Sequence, residues 1–363
     1  MTLKIPEHIK DIAPYEPGKP IDEVEREYGI AHSVKLASNE NPLGPSPKAV
    51  EAMQAAIAKL HRYPDEPAYA LLNRIAGHIG VQPGQIIIGK GSDDVLAMLS
   101  RALLMPGDEV VVPTPSFLMY TIVTQSAGAN PVRVPLNGME IDLDGVLSKV
   151  TSKTRLIFIC NPNNPTGAIV TKDAFGRFLD GLPDDVVVVV DEAYIQFVRD
   201  PRCARGFDFL EYDTPVVVLR TFSKAYGLAG LRVGYGVMPL ALADQLNKVR
   251  MPFNANSLAL AAAEAALDDT AFLRQSVQLV HQSLDMLYDS LDDRGVRYFP
   301  TQANFFLIDV GRDAHRVFER MLRQGVIVRS MRGYGFPEYI RVNIGLPEEN
   351  RRFLEALDAV LHD

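Results

Sequence analysis

The sequence has few cysteines, an excess of negative over positive charge, and no long apolar run. Its two cysteines, Cys160 and Cys203, are too few for a disulfide framework or a cysteine-based zinc cluster, which fits a reducing cytoplasm. The formal net charge of -8 argues against nucleic acid as a main partner, because a phosphate backbone selects for basic surfaces. No stretch approaches the ~18 apolar residues that span a bilayer, and the first residues lack the apolar core of a signal peptide. We therefore expect a soluble cytoplasmic protein that binds neither nucleic acid nor membranes.

Length and composition are those of a folded protein with room for two lobes. Hydrophobic residues make up 47% of the chain and charged residues 23%, as in ordinary globular proteins. A chain of 363 residues is long for one domain and suits a large core with a smaller lobe. We find neither an internal repeat nor a low-complexity tract.

Five short apolar runs, each ending in a cluster of small or polar residues, organise the larger part of the chain. They begin at residues 85, 109, 155, 186 and 215, and helix-like segments separate most of them. Runs that are apolar on both faces and joined by helical crossovers predict a parallel sheet covered on both sides. Ligands of such sheets lie beyond the carboxyl ends of the strands. We therefore expect the five clusters to meet at one site.

The most reactive candidate lies in the stretch 221–234, TFSKAYGLAGLRVG, directly after the run 216–219. Lys224 is thus placed at a strand end, where its amine can form a Schiff base with a carbonyl compound. Arg232, further along the stretch, offers a fork of donors that suits a phosphate. The segment 91–93 follows a strand and begins a helix, so its free N–H groups and the helix dipole predict an anion site.

Polar and aromatic residues at the other strand ends complete the predicted site. Asp191 ends a buried run and requires a cationic partner, for which a protonated pyridine nitrogen would serve. Tyr194 and Asn164 offer hydrogen bonds to a phenolic oxygen, and Phe117 offers a ring for stacking. An amine, an acid, phenol partners, a stacking ring and a phosphate cradle together describe a site for pyridoxal phosphate.

Several segments also give the chain a likeness to a known family. They are YEPGKP at 15–20, NENP at 39–42, RYPD at 62–65, GSD at 91–93, NPNNPTG at 161–167, DEAY at 191–194, the lysine stretch, and YIRVN at 339–343. On these segments the chain resembles, over essentially its whole length, the fold-type I pyridoxal-phosphate aminotransferases of class I/II, and within them the histidinol-phosphate aminotransferases. The resemblance implies an α/β fold, with a mostly parallel central sheet covered by helices in a large domain and a smaller α+β domain.

The resemblance further implies roles for the candidate residues. Lys224 binds the cofactor aldehyde and later moves the proton, and Asp191 keeps the ring nitrogen protonated. Tyr194 is the third catalytic residue and shares the phenolic oxygen with Asn164. The other cofactor-binding residues are Gly91, Ser92, Asp93, Phe117, Thr221, Ser223, Arg232 and, from the neighbouring subunit of a homodimer, Tyr63. Related enzymes usually have tyrosine at the position of Phe117, so stacking is kept here but a hydroxyl is not. No metal is implied.

Two arginines favour a phosphorylated substrate. By resemblance, Arg341 holds an α-carboxylate in the wider family, and a dianion favours a second fork of donors such as Arg329. The implied substrate-binding residues are Tyr15, Asn39, Asn164, Arg329 and Arg341. The implied reaction is the exchange of an amine between histidinol phosphate and 2-oxoglutarate, which gives imidazole-acetol phosphate and glutamate.

We predict three parts of the chain. Residues 1–45 form an arm that packs on the small domain and on the dimer partner, 46–255 the large cofactor-binding domain, and 256–363 the small domain. In the small domain, strands are predicted at 304–310, 326–329 and 339–344, and helices at 271–294, 313–324 and 348–362.

Three other functions stay open at the level of sequence. An aromatic or broad-specificity aminotransferase uses the same core, and a phosphothreonine-type decarboxylase shares the fold. A ligand sensor without catalytic activity is a third alternative, although no basic arm or helix-turn-helix extension supports it.

Overall fold

A twisted central sheet and a smaller, separate sheet organise the chain. The computed structural model describes residues 3–15, 17–66 and 68–361. Within these ranges the chain forms thirteen strands: β1 (Val34–Lys35), β2 (Ile86–Gly89), β3 (Glu109–Thr114), β4 (Asn130–Pro135), β5 (Thr154–Cys160), β6 (Val187–Asp191), β7 (Val216–Thr221), β8 (Gly234–Val237), β9 (Tyr298–Phe299), β10 (Phe305–Asp309), β11 (Val326–Ile327), β12 (Arg329–Ser330) and β13 (Tyr339–Asn343).

Helices flank both sheets. The same ranges contain thirteen α-helices: α1 (Glu7–Lys10), α2 (Ile21–Tyr28), α3 (Pro47–Ala56), α4 (Tyr69–Ile79), α5 (Ser92–Leu103), α6 (Met119–Ser126), α7 (Leu143–Leu147), α8 (Lys172–Asp180), α9 (Leu240–Val249), α10 (Ser257–Leu267), α11 (Thr270–Asp293), α12 (Ala314–Arg323) and α13 (Pro347–Leu361). None of those helices is long and apolar enough to cross a membrane. The predicted last helix extends to His362, which lies outside the described residues.

The central sheet confirms the predicted α/β class. Its strand order among the described residues is β2-β8-β7-β6-β5-β3-β4. The five predicted runs are β2, β3, β5, β6 and β7. The last four form parallel pairs, and β8 runs antiparallel to both β7 and β2, so that β2 is parallel to β7. All five therefore point their carboxyl ends to the same edge of the sheet.

Two strands of this sheet were not predicted, β4 and β8. The sequence of β8 is GYGV, and glycine is depleted in strands because it contributes no side chain to packing. Its glycines are nevertheless required, since a Cβ at Gly234 would lie 2.6 Å from the backbone nitrogen of Ser92. The strand β4 has proline at two of its six positions and lies at the sheet edge, where proline is tolerated.

Apolar layers cover both faces of the central sheet. On one face, α5, α6 and α9 pack against β3, β5 and β7 through side chains such as Leu96, Tyr120 and Leu246. On the other face, α8 contributes Phe175 and Phe178 against β5, β6 and β7. Each of these fully buried large side chains stabilises the fold by roughly 1.5–3 kcal/mol relative to exposure. The sheet is thus a rigid platform whose edge positions the site.

The small lobe is an antiparallel sheet in the order β12-β13-β10-β9, against which α11, α12 and α13 pack. The predicted strand 326–329 divides here. Its first part, β11, pairs with β1 of the N-terminal arm, and its last residue begins β12, which pairs with β13. The arm is thereby attached to the small lobe, with Val24 and Ala37 packed against Leu322 and Ile327.

The packing of α10 differs from the predicted domain boundary at residue 256. Its alanines, such as Ala259 and Ala263, pack with α3, α4 and Phe222 of the large domain. The change of lobe occurs within α11, where Leu273 contacts both cores and the residues from Val280 onward belong to the small lobe. Small alanine side chains allow close helix packing in either lobe. The sequence of α10 therefore did not indicate which of the two lobes this helix joins.

Candidate functional site

The carboxyl ends of the parallel strands meet, as predicted, in one cluster of polar side chains. Ser116, after β3, donates to Asn163, after β5, with 2.8 Å between Oγ and Oδ1. Cys160, the last residue of β5, lies opposite Asp191, the last residue of β6. The amine of Lys224, after β7, lies 5.8 Å from the ring centre of Tyr194. Segments far apart in the chain are therefore joined by direct contacts.

Lys224 has the environment of a reactive amine. Its Nζ donates to the carbonyl oxygen of Ser38 at 3.2 Å, and its side chain is largely withdrawn from water. Burial lowers the pKa of this amine to about 8, and the positive charge of Arg341 acts in the same direction. A lysine amine that loses its proton near neutrality is a nucleophile and a base at physiological pH.

Asp191 is a buried carboxyl group without a cation. Tyr120 donates its hydroxyl to Oδ2 at 2.8 Å, and the backbone N–H of Ala193 donates to Oδ1 at 3.2 Å. Burial raises the pKa of this carboxyl to about 6, against the effect of these two donors. Among the residues described here, no lysine or arginine forms an ion pair with it. The site is thus prepared for a cationic group that the chain does not itself supply.

Tyr120 is a site residue that the sequence-based reasoning missed. It lies in α6, three positions after Phe117, with its ring stacked 4.8 Å from that of Phe158 and edge-on to that of Phe117 at 5.6 Å. The available signal was a tyrosine on the first turn of the helix that follows the β3 loop. Nothing in the sequence indicated that this hydroxyl would reach Asp191, since the contact spans seventy-one positions.

Tyr194, Asn39, Asn164 and Arg341 form a buried network of two hydrogen-bonded pairs. The amide of Asn39 donates to the hydroxyl of Tyr194 at 3.0 Å. The guanidinium of Arg341 donates to Oδ1 of Asn164 at 2.5 Å and to the carbonyl oxygen of Ala37 at 2.9 Å. Two buried atoms of the network, Oδ1 of Asn39 and Nε of Arg341, have no partner in the described structure. Buried polar atoms are normally satisfied, so these two are available to a ligand.

A basic cup lies at the start of α5. The helix begins at Ser92, and Arg232 reaches it with its guanidinium, which donates to both carboxylate oxygens of Asp93 at 3.0 and 3.2 Å and to Ser223 at 3.3 Å. The turn requires glycine at position 91, where φ is 83° and a Cβ would lie 2.6 Å from the Arg232 guanidinium. Thr221 is close by, since its hydroxyl accepts from the N–H of Ser223. Helix N–H groups and a guanidinium at one point suit a phosphate.

The two predicted substrate arginines lie side by side. Arg329 of β12 and Arg341 of β13 are direct cross-strand partners. The Arg329 guanidinium lies 5.6 Å from the ring centre of Tyr15, so the arm residue and the arginine share one location. The Arg341 guanidinium packs 5.0 Å from the ring centre of Phe305. The structure therefore brings together Tyr15, Arg329 and Arg341, as expected for a common anion-binding region.

Tyr63 is the candidate that the structure does not bring to this cluster. It is 81% exposed and stacks on Phe253 with ring centres 4.5 Å apart. Both residues lie on the surface of the large domain, and no described contact joins Tyr63 to Lys224 or to the cup. Its place in the site depends on a second subunit and stays a prediction.

Comparison with known proteins decides the family. The chain matches the family model for aminotransferases of class I and II over residues 31–357. It belongs to the class I and II aminotransferases. The predicted enzyme class, a pyridoxal-phosphate-dependent aminotransferase, is thereby confirmed. The match begins in the N-terminal arm and ends in α13, so both lobes are included.

Curated relatives of this aminotransferase cover nearly its whole length. It is 48% identical over 358 residues to histidinol-phosphate aminotransferase 2 of Pseudomonas aeruginosa, with 98% of this chain and 97% of that protein covered. It is 46% identical over 349 residues to histidinol-phosphate aminotransferase 1 of Idiomarina loihiensis, with 96% and 95% covered. Among solved structures, histidinol-phosphate aminotransferase from Sinorhizobium meliloti in complex with pyridoxal-5'-phosphate superposes with a TM-score of 0.91 at 26% identity, covering 100% of this chain and 98% of that one.

Proposed function

We propose that this aminotransferase transfers the amino group of histidinol phosphate to 2-oxoglutarate, giving imidazole-acetol phosphate and glutamate. The observation that carries the proposal is the cross-strand pair Arg329 and Arg341, two neighbouring residues whose guanidinium groups would bind one substrate anion together. A phosphate dianion engages two such forks, whereas a single carboxylate is held by one. Relatives named histidinol-phosphate aminotransferase, at 48% and 46% identity over nearly the whole chain, support the same substrate.

The residues present fit pyridoxal phosphate. When bound, this cofactor supplies an aldehyde that condenses with amines and a ring that withdraws electrons from the reacting carbon. Asp191, buried without a cation, would hold a proton at the ring nitrogen. Tyr194 and Asn164 would donate to the phenolic oxygen, and Phe117, at the end of the β3 loop, would stack on the ring.

The cup would hold the phosphate group of the cofactor. Ser92, Ser223 and Thr221 offer hydroxyls, and Arg232 offers charge-assisted donors. A carboxylate cannot donate to a phosphate, so Asp93 would contribute its backbone N–H in the first turn of α5 and orient Arg232 through the ion pair at 3.0 Å. Gly91 admits the close approach that a Cβ would prevent.

Lys224 would bind the cofactor and move the proton of the reacting amine. A base with a pKa of about 8 is ionised and neutral in comparable amounts near physiological pH, which general acid–base catalysis requires. Asn39 holds the Tyr194 ring beside this amine through the 3.0 Å hydrogen bond, so the lysine keeps a defined position relative to the ring.

A homodimer with shared sites is part of the proposal. Tyr63, exposed and stacked on Phe253, is accessible to a neighbouring subunit. Other exposed apolar side chains accompany it in the same part of the chain, namely Ile57, Leu60 and Tyr69. Apolar surface of this kind is typical of a subunit interface. Dissociation of the subunits is therefore expected to remove the Tyr63 hydroxyl from the cofactor phosphate.

The substrate assignment is tested by comparing kcat/KM for histidinol phosphate and for phenylalanine, both with 2-oxoglutarate. We expect a clear preference for histidinol phosphate. A preference for phenylalanine would overturn the assignment in favour of an aromatic aminotransferase. Release of carbon dioxide without a requirement for an oxo acid would identify a decarboxylase.

Replacement of Arg341 by alanine is expected to raise KM for histidinol phosphate by roughly 10–100-fold, since a hydrogen bond to a charged group contributes about 1.5–3 kcal/mol. Arg329→Ala is expected to act in the same direction with a smaller effect, because Arg341 is the more deeply buried of the two. Unphosphorylated histidinol provides the control, since its KM should change little. Equal losses for both substrates would mean that the arginines support the fold and not the phosphate.

Tyr120→Phe is expected to weaken cofactor binding. It is also expected to move the acidic limb of the pH dependence of cofactor affinity to higher pH. The Tyr120 hydroxyl donates to the Asp191 carboxylate and so lowers the pKa of that group. Its removal makes ionised Asp191 less stable by about 1.5–3 kcal/mol. Cofactor affinity between pH 5 and 8, followed by absorbance, measures the shift. Tyr288→Phe, which removes a hydroxyl that accepts from Thr301 in the small lobe, is the matched control and should leave the limb in place.

A further inference from the structure

A cavity of about 860 Å³ lies beside the site and shares two of its candidate residues, Phe117 and Arg329. It lies between the N-terminal arm, the loop after β3 and the small lobe. Phe117 and Arg329 line it with half-buried side chains, and Arg133 of β4 and Arg332, which follows β12, line it with exposed side chains. The cavity thus reaches Arg329, one of the two proposed phosphate-binding arginines, and its exposed part is lined by residues to which the reaction assigns no role.

The exposed part of this cavity is basic. Among the described residues of its lining, Asp11 is acidic, against Lys19, Arg133, Arg329 and Arg332. Lys19 is neutralised by an ion pair with Glu27. The guanidinium groups of Arg133 and Arg332, by contrast, form no hydrogen bond or ion pair within the described part of the chain.

Among the described residues, Asp313 is an acidic neighbour of Arg332 but does not neutralise it. The pKa of Asp313 is lowered mainly by the backbone N–H of His315, and Arg332 contributes a smaller effect through its charge. No ion pair between Asp313 and Arg332 forms within 4 Å in the described structure. Two exposed guanidinium groups therefore face the mouth of the cavity with their donors available.

This local charge opposes that of the whole protein. The net charge of the chain is -8, so an anion approaching most of the surface is repelled. Low-dielectric walls around a cleft concentrate the field of the charges within it, and such clefts raise association rates by roughly 10–10³-fold. A phosphate group benefits most, because its charge of about two units doubles the interaction relative to a singly charged group.

We propose that Arg133 and Arg332 form an outer anion-binding site that captures the phosphorylated substrate before Arg329 and Arg341 bind its phosphate. This inference rests on the proposed function, because histidinol phosphate is the anion that it concerns. The outer arginines contact the substrate during entry and exit and are separate from the group that undergoes reaction. They affect the capture of the substrate, so their removal changes KM and kcat/KM and leaves kcat unchanged.

The test is the double variant Arg133→Gln/Arg332→Gln in the full-length holoenzyme. At low ionic strength we expect kcat/KM for histidinol phosphate to fall about tenfold with kcat unchanged, and the difference to disappear at an ionic strength of about 0.5 M, where charges are screened within a few ångströms. Histidinol, which lacks the phosphate and is a cation, should not show this fall. Arg101→Gln/Arg177→Gln, which removes two exposed arginines from α5 and α8, lowers the net charge equally and should behave as the wild type.

Inhibition by inorganic phosphate gives a second readout that does not depend on the substrate assignment. With glutamate as the amino donor, the inhibition constant of phosphate at low ionic strength is expected to rise about tenfold in the Arg133/Arg332 variant only. If the wild type does not transaminate histidinol phosphate, the proposed function fails while the phosphate inhibition still decides the outer site. Values equal to those of the Arg101/Arg177 variant at every ionic strength would overturn the outer site itself.

Discussion

Lys224→Ala is expected to reduce transamination by about 10⁴-fold or more, because it removes both the amine that binds the cofactor and the base that moves the proton. General acid–base catalysis alone contributes roughly 10²–10⁴-fold. The lysine is well suited to both tasks, since burial and the charge of Arg341 lower its pKa to about 8. Alanine is smaller and uncharged, so the buried surroundings of the site accommodate it without loss of the fold.

Two measurements separate the loss of the amine from damage to the site. Borohydride reduction should attach the cofactor covalently to the peptide that contains residue 224 in the wild type and leave it unattached in the variant, as read by mass spectrometry. Thermal unfolding of the cofactor-free forms should be similar or slightly favour the variant. Lys153→Ala, at an exposed position, is the control and should retain activity and covalent attachment. A Lys224→Ala protein with wild-type turnover would refute the assignment of the base.

Asp191→Asn is expected to reduce the catalytic rate and the cofactor affinity by roughly 10²–10⁴-fold. The proposed partner of this carboxylate is the protonated ring nitrogen, and breaking a buried ion pair costs about 3–5 kcal/mol, which corresponds to that range. Asparagine has the same shape, and its carbonyl still accepts from Ala193 or Tyr120. Any loss of catalytic rate or cofactor affinity therefore reflects the missing charge more than altered packing.

The same substitution is expected to stabilise the cofactor-free protein at neutral pH. The folded-state pKa of Asp191 is about 6, above its ordinary value of 3.8, because burial disfavours the ionised form. For a carboxyl whose pKa rises on folding, stability is lost as pH increases from about 4 through 6, by on the order of 2–3 kcal/mol. Asparagine does not ionise and escapes this loss. The variant should thus unfold at a higher temperature than the wild type at pH 7.5, and the two should converge near pH 4.

Denaturation of the two cofactor-free proteins across pH 4–8, together with cofactor dissociation rates, measures both effects. The combination is diagnostic because a merely structural carboxylate would lose stability on substitution at neutral pH. Asp200→Asn offers a contrast, since Arg202 lowers the pKa of Asp200 to about 2 by hydrogen bonding in an exposed pair. That variant should leave cofactor affinity unchanged. An Asp191→Asn enzyme with normal affinity would place the ring nitrogen elsewhere.

The residue pattern of short segments was sufficient to predict much of the candidate site. The runs that became β2, β3, β5, β6 and β7 are apolar on both faces, and this pattern has few solutions besides a covered parallel sheet. Because parallel strands share one edge for their carboxyl ends, the chemistry-bearing residues that follow them had to converge. Lys224, Asp191 and Tyr194 were predicted in this way, and the structure places Lys224 beside the Tyr194 ring and Asp191 at the end of the neighbouring strand.

Residues whose role depends on contacts across the fold were not accessible to this reasoning. Tyr120 looks like one more apolar-face residue of α6, and only the packing of that helix on the sheet brings its hydroxyl to Asp191. The alanines of α10 could pack in either lobe. Only their observed contacts with α3 and α4 assign this helix to the large domain.

The sequence by itself determined which side chains follow the strands, and hence where the amine, the acid and the cup at the start of α5 lie along the chain, because strand periodicity and glycine turns are properties of short segments. The tertiary structure alone decided the pairing of Arg329 with Arg341, the pKa of Lys224 and the basic mouth formed by Arg133 and Arg332. Register, burial and the electric field depend on distances between distant segments, and those distances exist only once both lobes and the arm have packed together.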